Sequence, residues 1–361
     1  MQNSGETLFK FSLQGYAIAR TLHFLTQLRT LEFYTRFLSA KPLSRTKVSR
    51  ELERKLIKSL LEVVLRDAER AAKGAFPTSL IFPENPKRYL SLFPAVFLDA
   101  LKIHQRRMKG EWDAFSEEAK IQGEALPKYF KRNFHFQTDG YLSAQSASLY
   151  DHQVEILFAG AAAAMRRMCL LPLTPMGGDS RKSPLKILEI SAGTGATTRM
   201  LAKTFPHAQI VVTDISSPYL DSARERLKMF SNLDFQVVDA TQLPFAEESF
   251  DAVVSVFLFH ELPLDERKKV ISEAKRVLKN RGVVSIVDSL QLGDISDFDV
   301  FLKDFPKNYH EPFFNDYIKN PLEDILAENA FQMTSQETGF FAKAIGAVKN
   351  FDGESANPKT F

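Results

Sequence analysis

The stretch ILEISAGTG, residues 187–195, is an apolar run that carries an acid and then breaks into small residues. Gly193 and Gly195 allow a backbone to come close to a ligand, and a helix that follows such a turn offers free amide hydrogens. Several adenine cofactors are held by turns of this kind, so the stretch alone does not choose among them. Ser191 stands where a glycine is expected. Either the backbone there has a conformation that tolerates a side chain, or the hydroxyl bonds the ligand.

Two further acids stand at the ends of the next two apolar runs. Asp214 ends QIVVTD, 19 residues after Gly195, and a carboxylate there lies where the hydroxyls of a ribose would be. Asp239 follows DFQVV, where its carboxylate and the next backbone amide, that of Ala240, could hold an adenine edge. Each acid alone could be an ordinary turn former. Acids at the ends of successive apolar runs predict a site for an adenine-containing cofactor.

A histidine and an acid follow the fourth apolar run, in SVFLFHELP. The carboxyl ends of parallel strands meet at one edge of a sheet, so His260 and Glu261 are expected close to the cofactor. An imidazole can take a proton near neutral pH. We therefore predict that His260 and Glu261 are catalytic; the alternative is that His260 caps the following helix or packs against the sheet.

The elements that must position these residues change character near residue 171. Before it, apolar residues recur at three- and four-residue spacing, which predicts an all-helical N-terminal domain or cap over 1–170. Residues 171–184 are rich in Pro, Gly and Ser and are predicted to be a linker. Residues 185–350 alternate short β-branched runs with helical stretches, which predicts an α/β domain with a mostly parallel sheet and a terminal hairpin over 331–348. The predicted N-terminal helices span 13–38, 46–73, 87–115 and 144–168.

The strand-end motifs, in this order, resemble those of the class I S-adenosylmethionine-dependent methyltransferases. ILEISAGTG is similar to the first motif of that family, TDIS to the acidic end of its second strand, and DATQLPF to its adenine-binding turn. FDAVVSVFLFHELP is similar to the fourth-strand motif, and RVLKNRGVVSIVD to the segment that leads into strand five in the small-molecule branch, types 11 and 25. The resemblance covers about residues 185–348. It implies a Rossmann-like, seven-stranded sheet whose last strand is antiparallel.

The resemblance also implies S-adenosylmethionine as the cofactor and assigns residues to its parts. Asp214 would bind the ribose hydroxyls, Asp239 with Ala240 the adenine, and Phe257 would lie near the sulfonium. The implied cofactor-binding residues are Glu189, Ser191, Gly193, Gly195, Asp214, Ile215, Asp239, Ala240, Phe257 and, from the segment before the linker, Tyr150.

Two aromatic segments are candidates for the wall of the acceptor pocket. NYHEPFFNDY, residues 308–317, lies where this family commonly inserts such a wall, and residues 133–155 resemble the segment that leads into the core of bacterial, notably cyanobacterial-type, members. The alternative is that the first of them is a surface loop packed by its own aromatics. The predicted pocket residues are His135, Tyr141, Tyr309, His310 and Phe313.

No metal site is predicted from the histidines. Residues 135, 152, 260 and 310 are histidines without paired spacing, and no cysteine accompanies them.

Composition favours a small, apolar, aromatic or lipid-like acceptor, because 31 of the 361 residues are phenylalanine. Charge keeps a nucleic-acid methyltransferase open as an alternative: residues 1–140 hold 24 Lys/Arg and 15 Asp/Glu, a balance of +9, against −6 for the remainder, with 23 and 29. Against it, no NPPY-type tetrapeptide follows strand four. The third hypothesis is a non-catalytic scaffold that binds the cofactor.

The remaining expectations concern location and assembly. The single cysteine, Cys169, excludes an intramolecular disulfide and fits a reducing compartment. The longest apolar run, residues 154–165, is shorter than the ~20 residues that span a bilayer, and no signal peptide of the usual form is present. We therefore expect a cytoplasmic protein without an integral membrane segment; its oligomeric state is left open, with a homodimer as one option.

Overall fold

The computed structural model describes residues 2–37, 48–85, 87, 91–111, 113–179 and 184–350. Within these ranges, no helix combines the length and the apolarity that crossing a bilayer needs. Part of the predicted linker, residues 180–183, lies outside the described residues.

The region before residue 171 is helical, as predicted. Its helices are α1 (Gln2–Phe37), α2 (Arg50–Ala72), α3 (Phe93–Lys109), α4 (Glu117–Gly123), α5 (Ala144–Leu157) and α6 (Ala162–Arg167). The single helix predicted over 144–168 is two helices, because the chain turns between them: Ala159 and Gly160 both have positive φ, 49° and 85°. Ser143 caps α5 by accepting a hydrogen bond from the Ser146 amide.

The remainder of the chain builds a seven-stranded sheet in the order β3-β2-β1-β4-β5-β7-β6. Strands β1 to β5 are parallel, and β7 pairs antiparallel with both β5 and β6, so the predicted sheet and terminal hairpin are confirmed. The strands are β1 (Lys186–Ile190), β2 (Gln209–Asp214), β3 (Leu233–Val237), β4 (Phe250–Val256), β5 (Leu278–Ser289), β6 (Phe331–Gly339) and β7 (Ala342–Lys349). The helices that accompany them are α7 (Ala196–Thr204), α8 (Ser217–Arg226), α9 (Leu264–Val277), α10 (Asp299–Asn308), α11 (Phe314–Tyr317) and α12 (Leu322–Glu328).

The parallel strands are buried on both faces, and their side chains alternate between two cores. In β2, Ile210 and Val212 face one core whereas Val211 faces the other. Strand β4 repeats this alternation at Ala252, Val253 and Val254. The first core is closed by side chains of α2, α6, α7 and α8, and the second by those of α9 and α12.

The N-terminal helices are part of the sheet's own core. A Cβ at Gly339 in β6 would lie 2.8 Å from Val63 of α2 and 3.1 Å from the Met168 sulfur, so these elements are in direct contact. Arg167 donates from Nη2 to Asp67 Oδ2 of α2 at 2.6 Å, and both side chains are buried. The domain boundary at 171–184 stays a prediction, but the apolar core crosses it.

Candidate active site

A cavity lies at the carboxyl ends of β1, β2, β3 and β4, and most of the residues predicted from the sequence line it. The predicted residues in its wall are Tyr141, Tyr150, Ser191, Gly193, Asp214, Ile215, Asp239, Ala240, Phe257 and Glu261. Residues from the ends of four parallel strands and the loops after them therefore converge on one space, as expected for a doubly wound sheet.

The turn after β1 explains why glycine was expected where Ser191 stands. Ser191 has φ 54°, in the left-handed region, as do Gly193 at 56° and Gly195 at 78°. Its hydroxyl oxygen is buried without a hydrogen-bond partner, although the residue lines the cavity. A buried hydroxyl without a partner fits a site whose ligand supplies the missing bond.

Asp214 ties the end of β2 to this turn. Its Oδ2 accepts a hydrogen bond from the Gly193 amide, and its Oδ1 accepts one from the Ser216 amide, both at 2.8 Å. Burial raises the pKa of Asp214 to about 6, against the effect of these two hydrogen bonds.

Gly195 and Glu189 do not line the cavity. A Cβ at Gly195 would lie 2.8 Å from Leu227 and 3.0 Å from Ala223, so this glycine permits α7 and the end of α8 to approach each other. Glu189 is buried, and its Oε2 has no hydrogen-bond partner. Burial, together with the charge of Asp214, raises the pKa of Glu189 to about 8, although Thr198 opposes the shift. Direct contact of these two residues with the cofactor stays a prediction.

The segment before the predicted linker covers the cavity with charged and aromatic side chains. Asp151 of α5 accepts from Thr194 Oγ1 at 2.9 Å and from Arg226 Nη1 at 2.6 Å, which joins the cover to the turn after β1 and to α8. Arg166 of α6 also lines the cavity, 5.9 Å from the centre of the Phe257 ring. Sequence reasoning missed Asp151 and Arg166, and nothing in the sequence of α5 or α6 sets them apart from the neighbouring polar residues.

Asp239 and aromatic residues before α5 also line the cavity. The Asp239 Oδ1 accepts from the amide and the hydroxyl of Thr241, at 2.9 and 2.7 Å. Tyr129, Phe130 and Phe134 line the same cavity, and none of them was predicted.

His260 lies behind the cavity wall, whereas its neighbour Glu261 reaches the cavity. His260 Nδ1 lies 2.6 Å from Asp288 Oδ1, and Asp288 Oδ2 accepts from the Phe259 amide at 2.7 Å. Burial alone would lower the pKa of His260, but the carboxylate of Asp288 outweighs it and raises the pKa to about 9. The sequence thus located both residues at the right strand end. Their catalytic roles stay predictions.

His135 lies on the other side of Glu261. Its Nε2 is 3.7 Å from Glu261 Oε1, and its Nδ1 is 3.0 Å from Oε1 of Glu311, a buried residue after α10. Tyr141 donates its hydroxyl hydrogen to Glu261 Oε1. His135 itself has φ 55°.

Tyr309, His310, Phe313 and His135 were predicted for the acceptor pocket but do not line this cavity. They lie outside the layer of residues that lines the cavity. Tyr309 stacks on Phe305 with ring centres 4.6 Å apart, and His310 Nε2 lies 3.2 Å from Asp113 Oδ1. Phe313 packs against Phe134, Tyr141 and Tyr219. The insertion after β5 thus supports the aromatic wall from outside, because residues 129–141 occupy the inner position.

Two of the histidines lie close together in the structure, although their spacing in the sequence does not indicate it. His135, His260 and Glu261 place one potential metal-ligand atom each within 4.8 Å of one another. His152, in contrast, bonds Gln27 at 2.9 Å, and His310 pairs with Asp113.

The strand order, the antiparallel β7 and the acids at the ends of β2 and β3 define a class I S-adenosylmethionine-dependent methyltransferase domain, and this chain carries one. The family model described as "Methyltransferase domain" matches residues 187–282. The cofactor of this class is S-adenosylmethionine. The unpartnered Ser191 hydroxyl, the glycine turn and the strand-end acids fit it.

Curated relatives match part of the chain. The demethylmenaquinone methyltransferase of Thermotoga maritima is 39% identical over 30% of this chain and 45% of its own length. The ubiquinone/menaquinone biosynthesis C-methyltransferase of Desulfotalea psychrophila is 29% identical over 40% of this chain and 54% of its own. The demethylmenaquinone methyltransferase of Clavibacter sepedonicus is 32% identical over 39% and 54%. The chain therefore spans about half the length of the curated relatives it matches.

Proposed function

We propose that this protein transfers a methyl group from S-adenosylmethionine to a small, apolar acceptor of the quinone type. The observation that carries the proposal is the single cavity in which the turn after β1, Asp214 and Asp239 meet an aromatic wall. When bound, the cofactor supplies an electrophilic methyl group on a positively charged leaving group.

In this proposal the strand ends bind the cofactor. Asp214 accepts hydrogen bonds from the ribose hydroxyls while it holds the Gly193 amide in place, and Asp239 with Ala240 binds the adenine. Ser191 offers its hydroxyl to the methionine end. Tyr150 closes the cavity from α5, beside the Asp151 contact to Thr194.

The acceptor proposal rests on the chemistry of the wall. Tyr141, Phe134 and Phe257 bring aromatic surface into the cavity, which suits a flat, apolar ring. The relatives named above are demethylmenaquinone and ubiquinone/menaquinone methyltransferases, which supports a quinone-type acceptor.

Glu261 and His260 are the groups that we assign to the acceptor. Methyl transfer requires that the acceptor atom be aligned with the methyl group and that water be excluded. The Glu261 carboxylate reaches the cavity and is fixed there by Tyr141, while His260 is fixed by Asp288. These contacts give the Glu261 carboxylate a defined orientation toward a bound acceptor and hold His260 next to it, behind the cavity wall.

The proposal is tested with labelled S-adenosylmethionine and a panel of acceptors: a short-chain demethylated menaquinol, a simple phenol, a structured RNA and a DNA duplex. We expect label on the menaquinol. Label on RNA or DNA alone would support the nucleic-acid alternative. Cofactor binding without turnover on any acceptor would support the hypothesis of a non-catalytic scaffold.

Location and assembly remain proposals as well. Cys169 is buried and free, in keeping with a reducing, cytoplasmic environment. Light scattering of the purified chain distinguishes a monomer from a homodimer.

A further inference from the structure

Three side chains with metal-ligating atoms meet beside the cofactor cavity. His135 comes from the turn between α4 and α5, and His260 and Glu261 from the turn after β4. The Nε2 atoms of His135 and His260 lie 3.7 and 3.8 Å from Glu261 Oε1. We propose that these three residues, here called the His–His–Glu site, bind a divalent transition-metal cation.

Each histidine of the site has a buried carboxylate behind it. His260 Nδ1 lies 2.6 Å from Asp288 Oδ1, and His135 Nδ1 lies 3.0 Å from Glu311 Oε1. Metal-binding histidines commonly donate their second ring nitrogen to a carboxylate, which fixes the ring and the tautomer. His260 Nδ1 makes such a hydrogen bond to Asp288, whereas His135 Nδ1 lies near the Glu311 carboxylate without a hydrogen bond. Both Nε2 atoms lie near Glu261 and are the nitrogens that would take the cation.

The charge of the surroundings also favours a cation. Glu261, Asp288 and Glu311 lie together, and no lysine or arginine of the described residues forms an ion pair with any of them. Glu311 Oε2 is buried without a hydrogen-bond partner. Among the described residues, the positive charge that pairs with these carboxylates comes from His135 and His260, and a bound cation would take that place when the imidazoles act as neutral ligands.

The backbone at His135 is held in an unfavourable conformation. Its φ of 55° lies in the left-handed region, which residues with a side chain rarely adopt unless the surroundings enforce it. The Glu311 carboxylate enforces it here by accepting from the His135 amide at 3.3 Å. This hydrogen bond fixes the backbone of His135 at the position from which its imidazole lies beside Glu261.

Two imidazoles and one carboxylate select the kind of cation. Zn²⁺, Fe²⁺ and Co²⁺ accept this set, whereas Mg²⁺ and Ca²⁺ prefer oxygen ligands alone. Ligand atoms about 2.0–2.2 Å from zinc lie roughly 3–4 Å from one another. The present spacing, within 4.8 Å, therefore closes by small side-chain rotations.

Three protein ligands leave at least one position of the cation open. Because Glu261 lines the cavity, we infer that the open position is accessible from it. If the proposed function holds, an oxygen of a quinol takes it, and the cation orients and polarises that oxygen. This role rests on the proposed function, whereas cation binding itself does not.

The test is a titration of chelator-treated protein with Co²⁺, followed by visible absorption, and with Zn²⁺ and Mg²⁺, followed by calorimetry. We expect one equivalent of Co²⁺ or Zn²⁺ per chain and no saturable binding of Mg²⁺. His135→Gln should weaken Zn²⁺ binding by more than about tenfold, and Glu311→Gln, which removes an orienting carboxylate, by about tenfold.

His207→Gln is the control for adventitious binding, because His207 is exposed on the loop after α7. It should leave the affinity for Zn²⁺ unchanged. S-adenosylmethionine affinity, measured without metal, should be the same in His135→Gln as in the wild type, which shows that the fold is intact. Absence of a one-to-one complex, or equal Zn²⁺ affinity in His135→Gln and the wild type, overturns the site. Loss of cofactor binding by the wild type would instead contradict the proposed function.

Discussion

The carboxylate of Asp214 accepts the amide hydrogen of Gly193 at 2.8 Å, so the end of β2 holds the turn after β1 before any ligand arrives. The cofactor site is therefore organised in part by the residue that is predicted to bind the ribose.

Asp214→Ala removes this contact together with the predicted hydrogen bonds to the ribose. We expect S-adenosylmethionine binding to weaken by about 1–3 kcal/mol, the usual cost of losing hydrogen bonds to a charged acceptor. Calorimetry measures it. Asp221→Ala, at an exposed acid on α8, is the matched control and should bind as the wild type does. Equal affinities in the two variants would contradict the assignment of Asp214.

Two substitutions of Ser191 separate backbone strain from hydrogen bonding. Ser191→Gly removes the side chain from a left-handed position and should stabilise the free protein by up to about 1 kcal/mol. Ser191→Ala keeps the strain and removes only the hydroxyl. If the hydroxyl bonds the cofactor, both variants lose about 0.5–1.5 kcal/mol of binding free energy. Urea unfolding and calorimetry measure the two effects; unchanged affinity in both variants would leave Ser191 as a tolerated replacement.

Glu189 makes the stability of the free protein depend on pH. Because its folded pKa is raised to about 8, the folded state keeps a proton that the unfolded state releases above about pH 4.3. Its contribution to stability is therefore lost as pH rises through this window, by about 1.4 kcal/mol per pH unit. Glu189→Gln should remove that part of the slope. Urea unfolding at pH 5.5 and 7.5 tests it, with exposed Glu225→Gln as control; a slope equal to that of the wild type would show that Glu189 is ionised.

His260→Gln tests the residue held by Asp288. We expect S-adenosylmethionine affinity to be retained, because His260 does not line the cavity, and turnover to fall by roughly 10²–10⁴-fold. His152→Gln, at a buried histidine that bonds Gln27, controls for general loss of packing and should keep its turnover. Turnover of His260→Gln within twofold of the wild type would remove His260 from the mechanism.

The buried pair between Arg167 and Asp67 tests whether the N-terminal helices belong to the core. Arg167→Met leaves the Asp67 carboxylate buried and unpaired, and should cost about 3–5 kcal/mol of unfolding free energy. Adding Asp67→Asn should recover part of the loss. A single unfolding transition that shifts as a whole is expected, followed by far-UV circular dichroism in urea. If instead only a helical fraction unfolds early, the helices form a separate unit.

The sheet could be predicted from local sequence, because the apolar residues of each strand and helix recur with the period of that element. The terminal hairpin and the acids at the ends of β2 and β3 were found in the same way. The residues that cover the cavity could not be predicted in this way, because Asp151 and Arg166 reach it only through the packing of α5 and α6 on the sheet. The proximity of His135 to Glu261 depends on the fold of the whole chain, and no spacing in the sequence encodes it.

The contact of Val63 and Met168 with Gly339 has a consequence for synthesis of the protein. Helix α2 and the residues around 168 leave the ribosome long before the final strand pair that they cover exists. The contacts that bury this part of their apolar surface are distant in sequence, so it stays without its counterpart until β6 has been translated. A nascent chain that ends before residue 331 therefore exposes apolar side chains of α2 that the folded protein covers.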